Sequence, residues 1–310
     1  MTNNKTLMIC GRERGLFLLE SLYDANFIPS GLIIMNDDDH EAKWSDRIAE
    51  SAGIREIPFI VGKSFANQQV EEFYSRIKPN VVLTENWRTI VPARIYKSAD
   101  HFIVFHESLL PKYRGFAPLV WPLINDEKET GVSMFYASDE IDSGDVLDQY
   151  RIPIRPGDSC NELYRATFDV YLQMCLKNLH KLDENRQKAV KQDEKQATYC
   201  CMRTPEDGKI NWSKSAHDIF NLVRAIKPPL FAGAFTEYDG QKIVVAEAEV
   251  VPNPPRFVGV LPGRIASLHA DSTDVLTGQG ILRIHSVMIE SNAELLPAAT
   301  VLKKMKVKLT

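Results

Sequence analysis

The sequence predicts an α/β protein in which a mostly parallel sheet, flanked by helices, is followed by a smaller β-rich barrel. Three observations predict it. Short apolar runs at residues 6–10, 31–35 and 81–84 alternate with segments of helical period at 16–25, 44–52 and 70–77. A further apolar run at 102–105 reads as a buried strand. Beyond residue 200 the pattern changes to one helix and then short strands separated by turn residues. Strand–helix alternation requires crossover connections, which make the sheet parallel and cover its faces. Ligands of such sheets bind beyond the carboxyl ends of the strands.

The first strand leads into Cys10-Gly11-Arg12-Glu13-Arg14-Gly15, which lacks the three-glycine spacing of a dinucleotide fingerprint and the lysine of a phosphate loop, and reads as a plain strand-to-helix turn. The strand at 102–105 ends at His106 and delivers that imidazole to the strand-end crevice. Strands at 131–137 and 146–154 flank a loop that carries Asp142. Residues 161–182 have helical period through Leu163, Ala166, Val170, Met174 and Leu182, and the charged run 183–188 that follows reads as a hinge. A capped helix at 213–225 precedes strands at 233–238 and 242–251, joined by the turn Asp239-Gly240. Strands at 263–268, 274–277 and 281–290, punctuated by Pro262-Gly263 and Gly278-Gln279-Gly280, complete a small open barrel. The expected division is an N-terminal catalytic domain at 1–200 and a β domain with one leading helix at 201–310.

With 44% hydrophobic residues in 310, the chain buries two ordinary cores but hardly three. A formal net charge of −4 supplies no general basic field, which argues against a nucleic-acid partner. The five cysteines show neither a paired framework nor metal spacing, and the Glu206-Asp207 pair reads as a turn, so no metal is expected. Met1 to Lys5 lead into the first strand without a signal-peptide core, and no apolar run approaches the roughly 20 residues of a membrane span. A cytoplasmic protein without a membrane partner is expected. Uncharged strand edges in the C-terminal part point to a homodimer.

The chemistry is concentrated in His106-Glu107-Ser108-Leu109-Leu110-Pro111-Lys112-Tyr113-Arg114-Gly115 and in Asp142-Ser143-Gly144-Asp145, 36 positions after the histidine. A strand-end histidine alone is usually structural, and an aspartate before Ser-Gly is usually a turn residue. Together they suit acyl transfer to an amine, in which a proton moves and an oxyanion is held.

These two motifs resemble those of the formyltetrahydrofolate-dependent formyltransferases. The likeness continues through Ala117-Pro118, residues 129–133, residues 203–212, Val223-Arg224-Ala225 and residues 233–236, and so covers most of the chain. Residues 112–115, Trp121 and the region of Asn125 look most like the enzymes that formylate nucleotide-linked amino sugars, and less like the initiator-tRNA enzymes. The resemblance implies a Rossmann-like catalytic domain and an OB-like second domain, with N10-formyltetrahydrofolate as donor and a primary amine as acceptor. The acceptor it favours is a UDP-linked 4-amino-4,6-dideoxy sugar of bacterial surface-glycan biosynthesis. It assigns proton transfer to His106 and orientation of that ring to Asp142. Folate contacts fall on Arg88, Thr89 and Ile90 and on Ser138, Asp139, Glu140, Ile141 and Asp142. Arg114 is expected to bind a substrate phosphate or anchor its loop, with pairing to a surface carboxylate as the alternative. Leu110-Pro111 matches the family's turn, whose isomer the sequence leaves open.

One departure stands out. The family has asparagine two residues before the histidine, where this chain has Val104, and removing such an oxyanion donor costs about 2.7–4 kcal/mol of transition-state stabilisation. Neighbouring parallel strands end side by side, so Asn86, just past the strand at 81–84, is the expected substitute. The rival readings are a methionyl-tRNA formyltransferase, a catalytically weak sugar-binding paralogue in which Val104 has removed the donor, and hydrolysis of formyltetrahydrofolate by water.

Overall fold

Continuous apolar runs become strands buried on both faces, and every residue of β1 (Thr6–Cys10), β2 (Gly31–Met35) and β4 (Val81–Thr84) is buried. The computed structural model describes residues 5–38, 42–289 and 294–310. In chain order, α1 (Arg12–Asp24) follows β1, and α2 (Trp44–Ile54), β3 (Phe59–Gly62) and α3 (Gln68–Ile77) lie between β2 and β4. Next come α4 (Ala93–Tyr96), β5 (His101–His106), β6 (Arg114–Gly115), α5 (Val120–Ile124), β7 (Glu129–Tyr136), β8 (Val146–Pro153), α6 (Cys160–Asn178), α7 (Leu182–Arg186) and β9 (Tyr199–Cys200).

The large sheet has the order β3-β2-β1-β4-β5-β7-β8, parallel from β3 to β5, with β7 antiparallel to β5. Strand order reverses between β1 and β4. Gly11 and Asn86 follow the carboxyl ends of these two strands, the position at which open α/β sheets bind ligands. One face of this sheet is packed by Leu7, Ile9, Ile33, Val82 and Phe102 against Phe65, Val70, Phe73 and Tyr74. β3 has no counterpart in the sequence reading, although Phe59-Ile60-Val61 is an apolar run; it is short, follows Pro58, and forms the sheet edge with Phe59 and Val61 exposed.

The segment expected to be a hinge is instead helix α7 and its C-terminal turn. Leu182 is buried, Asp183 bonds the buried His101 at 3.0 Å, and Asn185 donates to Asn178 at 2.8 Å. A charge run usually marks a solvated face, and here that face carries the anchors of a short helix.

The chain forms two compact units. The first takes the described residues up to Pro118, then Thr130–Ile152 and Arg165–Cys200; the second takes Leu119–Glu129, Pro153–Tyr164 and the described residues from Cys201 onward. The chain thus enters the second unit twice before it leaves the first for the last time after Cys200.

In the second unit α8 (Ala216–Ala225) starts at a reciprocal cap, with Ser215 and Asp218 each bonding the other's backbone amide. β10 (Ala234–Tyr238), β11 (Gln241–Val250), β12 (Ile265–Leu268), β13 (Thr273–Leu276), β14 (Ile281–Ile289) and β15 (Leu295–Pro297) then form an antiparallel sheet in the order β10-β11-β14-β13-β12, with β15 on β14. A last helix, α9 (Ala298–Val301), follows. The β10–β11 turn has Asp239 at φ 53° and Gly240 at φ 76°, as a tight hairpin requires. Glu290, the last residue of the expected strand 281–290, lies outside the described residues. No described helix is long and apolar enough to cross a membrane.

Candidate active site

β5 places His106 at its carboxyl end, 6% exposed and in register with Ser133 of β7. The ring nitrogen Nε2 lies 2.7 Å from the carbonyl oxygen of Tyr113, and Nδ1 lies 3.6 Å from Oδ2 of Asp142. A carbonyl only accepts hydrogen bonds, so Nε2 carries the hydrogen and the neutral ring turns a bare Nδ1 toward the carboxylate. This pair can take up one proton at Nδ1, with Asp142 as counter-charge.

Asp142 is held from two sides. Its Oδ2 accepts the Gly115 amide at 2.8 Å, and Gln192 Nε2 donates to the carbonyls of Asp142 and Gly144, both at 2.8 Å. Asp142 and Tyr113 adopt left-handed backbone, φ 51° and 60°, a conformation that non-glycine residues keep only where their surroundings enforce it. The glycines of both motifs are required sterically. A Cβ on Gly144 would lie 1.7 Å from the Tyr136 carbonyl oxygen, and one on Gly115, at φ 98°, would lie 2.7 Å from that of Cys200.

The loop between His106 and Gly115 is pinned along its length. Ser133 Oγ donates to Ser108 O at 2.6 Å and accepts the Leu110 amide at 3.1 Å, and Leu110-Pro111 is cis. Arg114 is fully buried. Its five N–H donors go to Gln192, Glu194 and Tyr199, at 2.7 to 3.2 Å. Its hydrogen bonds hold Glu194 below the usual carboxylate range. Arg114 thus pairs with the exposed carboxylate of Glu194 and with Gln192, whose amide nitrogen bonds the Asp142 loop. Gln192 escaped the sequence reading, because a lone glutamine in the charged stretch 191–195 carries no spacing signal.

At the end of β4 a different feature emerges. Thr84 Oγ1, Asn86 Nδ2 and Trp87 Nε1 are buried polar atoms without a hydrogen-bond partner among the described residues. Asn86 has φ 55°, and its Nδ2 packs so closely on Gly11 that a Cβ there would lie 2.9 Å away. Thr84 pairs with Val104 across β4 and β5, so Asn86 and His106 each lie two residues beyond a matched pair at the ends of adjacent parallel strands. Val104 packs against the apolar cluster with Trp87 and Ala137 and offers no donor. Buried donors in native proteins are rarely left unpaired, and the exceptions gather at functional sites.

The other expected contacts lie on two loops. Arg88 pairs with Asp38 at 2.8 Å, Thr89 Oγ1 donates to Lys63 O at 3.1 Å, and Ile90 is 81% exposed. Between β7 and β8, Ser138 bonds Ser143 at 2.8 Å and donates to the Glu140 carbonyl at 3.0 Å, and Ile141 is exposed. Asp139 pairs with Lys97 at 2.9 Å and accepts a hydrogen bond from Tyr96. Among the described residues no group of three His, Cys, Asp or Glu side chains could hold a metal ion.

The sequence matches the family model described as formyl transferase over residues 39–178 and that of the formyl transferase C-terminal domain over 203–304. The methionyl-tRNA formyltransferase of Alkaliphilus oremlandii is 31% identical over 241 residues, which cover 77% of this chain and 76% of that protein. Among solved structures, the N-formyltransferase from Helicobacter canadensis, in complex with folinic acid and dTDP-3-aminofucose, is 22% identical with a TM-score of 0.68, over 91% of this chain and 98% of its own. HypX from Aquifex aeolicus, in complex with tetrahydrofolic acid, is 18% identical with a TM-score of 0.65. That match covers 98% of this chain and 48% of HypX, so the present chain spans about half the length of that protein.

Proposed function

The chain belongs to the formyl transferase family, and from that premise we propose that it transfers a formyl group from N10-formyltetrahydrofolate to the amine of a nucleotide-linked deoxyamino sugar. A UDP-linked 4-amino-4,6-dideoxy sugar for surface glycan is the preferred acceptor, and the cytoplasm the expected place. The observation that carries the reading is the His106–Asp142 pair, with a bare Nδ1 facing a carboxylate at 3.6 Å. The Helicobacter canadensis enzyme of like fold holds ligands of the proposed classes. A net charge of −4 suits a small acceptor better than a polynucleotide.

Bound formyltetrahydrofolate supplies an activated formyl carbon. The unpartnered donor of Asn86 and the loops 88–90 and 138–142 are the groups proposed to hold it. His106 Nδ1 takes the proton released as the acceptor nitrogen bonds to that carbon, and later returns it to the departing folate nitrogen. Asp142 offsets the imidazolium charge and keeps Nε2 directed at Tyr113. Asn86 Nδ2 donates to the formyl oxygen as negative charge builds there, the task that Val104 cannot perform.

The test is mass spectrometry of the protein incubated with donor and a panel of UDP-, dTDP- and GDP-linked 3-amino and 4-amino sugars. A gain of about 28 Da on one acceptor, the mass of a formyl group less the hydrogen it replaces, supports the reading. A second reading is favoured by the 31% identity to a methionyl-tRNA formyltransferase. It predicts no gain on any sugar and binding of charged initiator tRNA that weakens steeply with salt. A catalytically weak sugar-binding paralogue would bind a nucleotide sugar and show no gain at all.

A further inference from the structure

We propose that Arg14 is a positioning residue that sets His106 and Asn86 at one fixed separation by gripping the chain neighbour of each. The inference rests on the formyl-transfer reading and adds to it a part that neither motif contains. Arg14 lies on α1 and is 2% exposed. Its Nε donates to Glu85 Oε1 at 2.9 Å, Nη1 to Thr167 Oγ1 at 2.9 Å, and Nη2 to Glu107 Oε1. Its guanidinium carbon lies 4.3 Å from the centre of the Tyr171 ring, which stacks on Phe105 at 4.4 Å.

Glu85 directly precedes Asn86, and Glu107 directly follows His106. The Glu85 amide donates to Ile9 O at 2.8 Å, and its Oε2 accepts the Gly11 amide at 3.1 Å, so β1, the start of α1 and the end of β4 are all joined to the same guanidinium that holds the end of β5. Burial of one guanidinium with two carboxylates costs desolvation that an apolar packing of the same volume avoids, so stability alone is a weak reason for the arrangement. A planar fork meeting two carboxylates at once fixes their separation, which a single ammonium charge does not.

Charge supports the geometry. Burial pushes Glu85 up against the pull of Arg14 and the Gly11 amide. Glu107 loses solvation too, yet the Arg14 guanidinium beside it holds it below the usual carboxylate range. Arg14 and an ionised Glu107 thus form the charged pair, and Glu85 is the carboxyl that protonates more readily.

The test uses the full-length protein with Arg14→Lys, Glu107→Ala and Glu107→Gln. Arg14→Lys and Glu107→Ala should each lower kcat about 100-fold, the effect of misplacing a reacting group by about 1 Å, with the KM for the folate donor unchanged. Glu107→Gln, which keeps an acceptor for Arg14, should fall less than Glu107→Ala. Nitrogen NMR of the His106 ring should show one tautomer, protonated at Nε2, in the wild type and a mixture in Arg14→Lys and Glu107→Ala. This readout needs no acceptor. A tautomer mixture in the variants, in a protein that formylates none of the offered amines, would uphold the positioning role while the acceptor reading fails. Folded variants with wild-type kcat and a single tautomer overturn the proposal. So does a parallel loss of kcat and donor affinity without change of tautomer, the mark of a merely structural role. If Arg14→Lys does not fold, the two Glu107 variants decide.

Discussion

The Gly115 amide donates to Asp142 Oδ2 at 2.8 Å, and the same oxygen stands 3.6 Å from His106 Nδ1. One carboxylate oxygen therefore joins the glycine that closes the first motif to the histidine that opens it. The arrangement aims a carboxylate at the one ring nitrogen that Tyr113 leaves uncommitted.

Asp142→Asn keeps an acceptor for Gly115 and removes the charge, while His106→Ala removes the proton carrier. Each should lower the formyl-transfer rate by about 100- to 10,000-fold, the usual worth of a positioned acid–base group. Neither should lower the thermal unfolding midpoint appreciably. Undiminished turnover in His106→Ala would remove the basis of the proposed function.

Asn86→Ala should lower kcat by about 100- to 1000-fold if Nδ2 is the oxyanion donor. Its effect on stability is expected to be small, since loss of an unpaired buried donor is favourable and alanine in left-handed backbone costs about 1–2 kcal/mol. Steady-state kinetics and urea unfolding read the two effects separately. Full kcat in this variant would hand the oxyanion to backbone amides.

Gly115→Ala places a Cβ 2.7 Å from the Cys200 carbonyl oxygen at a φ of 98°. It should cost about 1–3 kcal/mol in urea unfolding, and it should depress kcat as well, because the Gly115 amide is one of the two holds on Asp142. A variant of normal stability and activity would show that the loop accommodates the change.

The buried Glu85 carboxyl is raised by burial, so its contribution runs opposite to that of a paired surface carboxylate. The folded state binds its proton more tightly than the unfolded chain does. Its contribution is complete below the unfolded value near 4.3 and is lost as pH rises from there through the raised folded value. Glu85→Gln has no such proton to lose, so the wild-type stability relative to this variant should decline as pH rises across that window. Urea unfolding of both proteins at a series of pH values rising from the unfolded value measures it. A difference that grows with pH would contradict the direction of the shift.

Much of the architecture was legible because the hydrophobic pattern is local. The buried runs of β1, β2, β4 and β5 and the helical periods between them announce themselves within a few residues, as do the capped helix α8 and the Asp239-Gly240 turn. The edge strand β3 did not, because three apolar residues between Pro58 and Gly62 are too short a run to separate a strand from a loop. His106 and Asp142 were legible through their motifs, whereas the partners of Arg114, Gln192, Glu194 and Tyr199, lie 78 to 85 positions away and carry no local signal.

From the sequence alone came the α/β class, the strand-end histidine, its carboxylate partner and the missing donor at Val104. The fold itself decided which ring nitrogen faces Asp142, which buried polar atoms at the end of β4 have no partner among the described residues, and which arginine lies between Glu85 and Glu107. The reason is that apolar period is written over neighbouring residues, while a hydrogen bond between side chains 71 or 93 positions apart exists only once sheet order has brought their strand ends together.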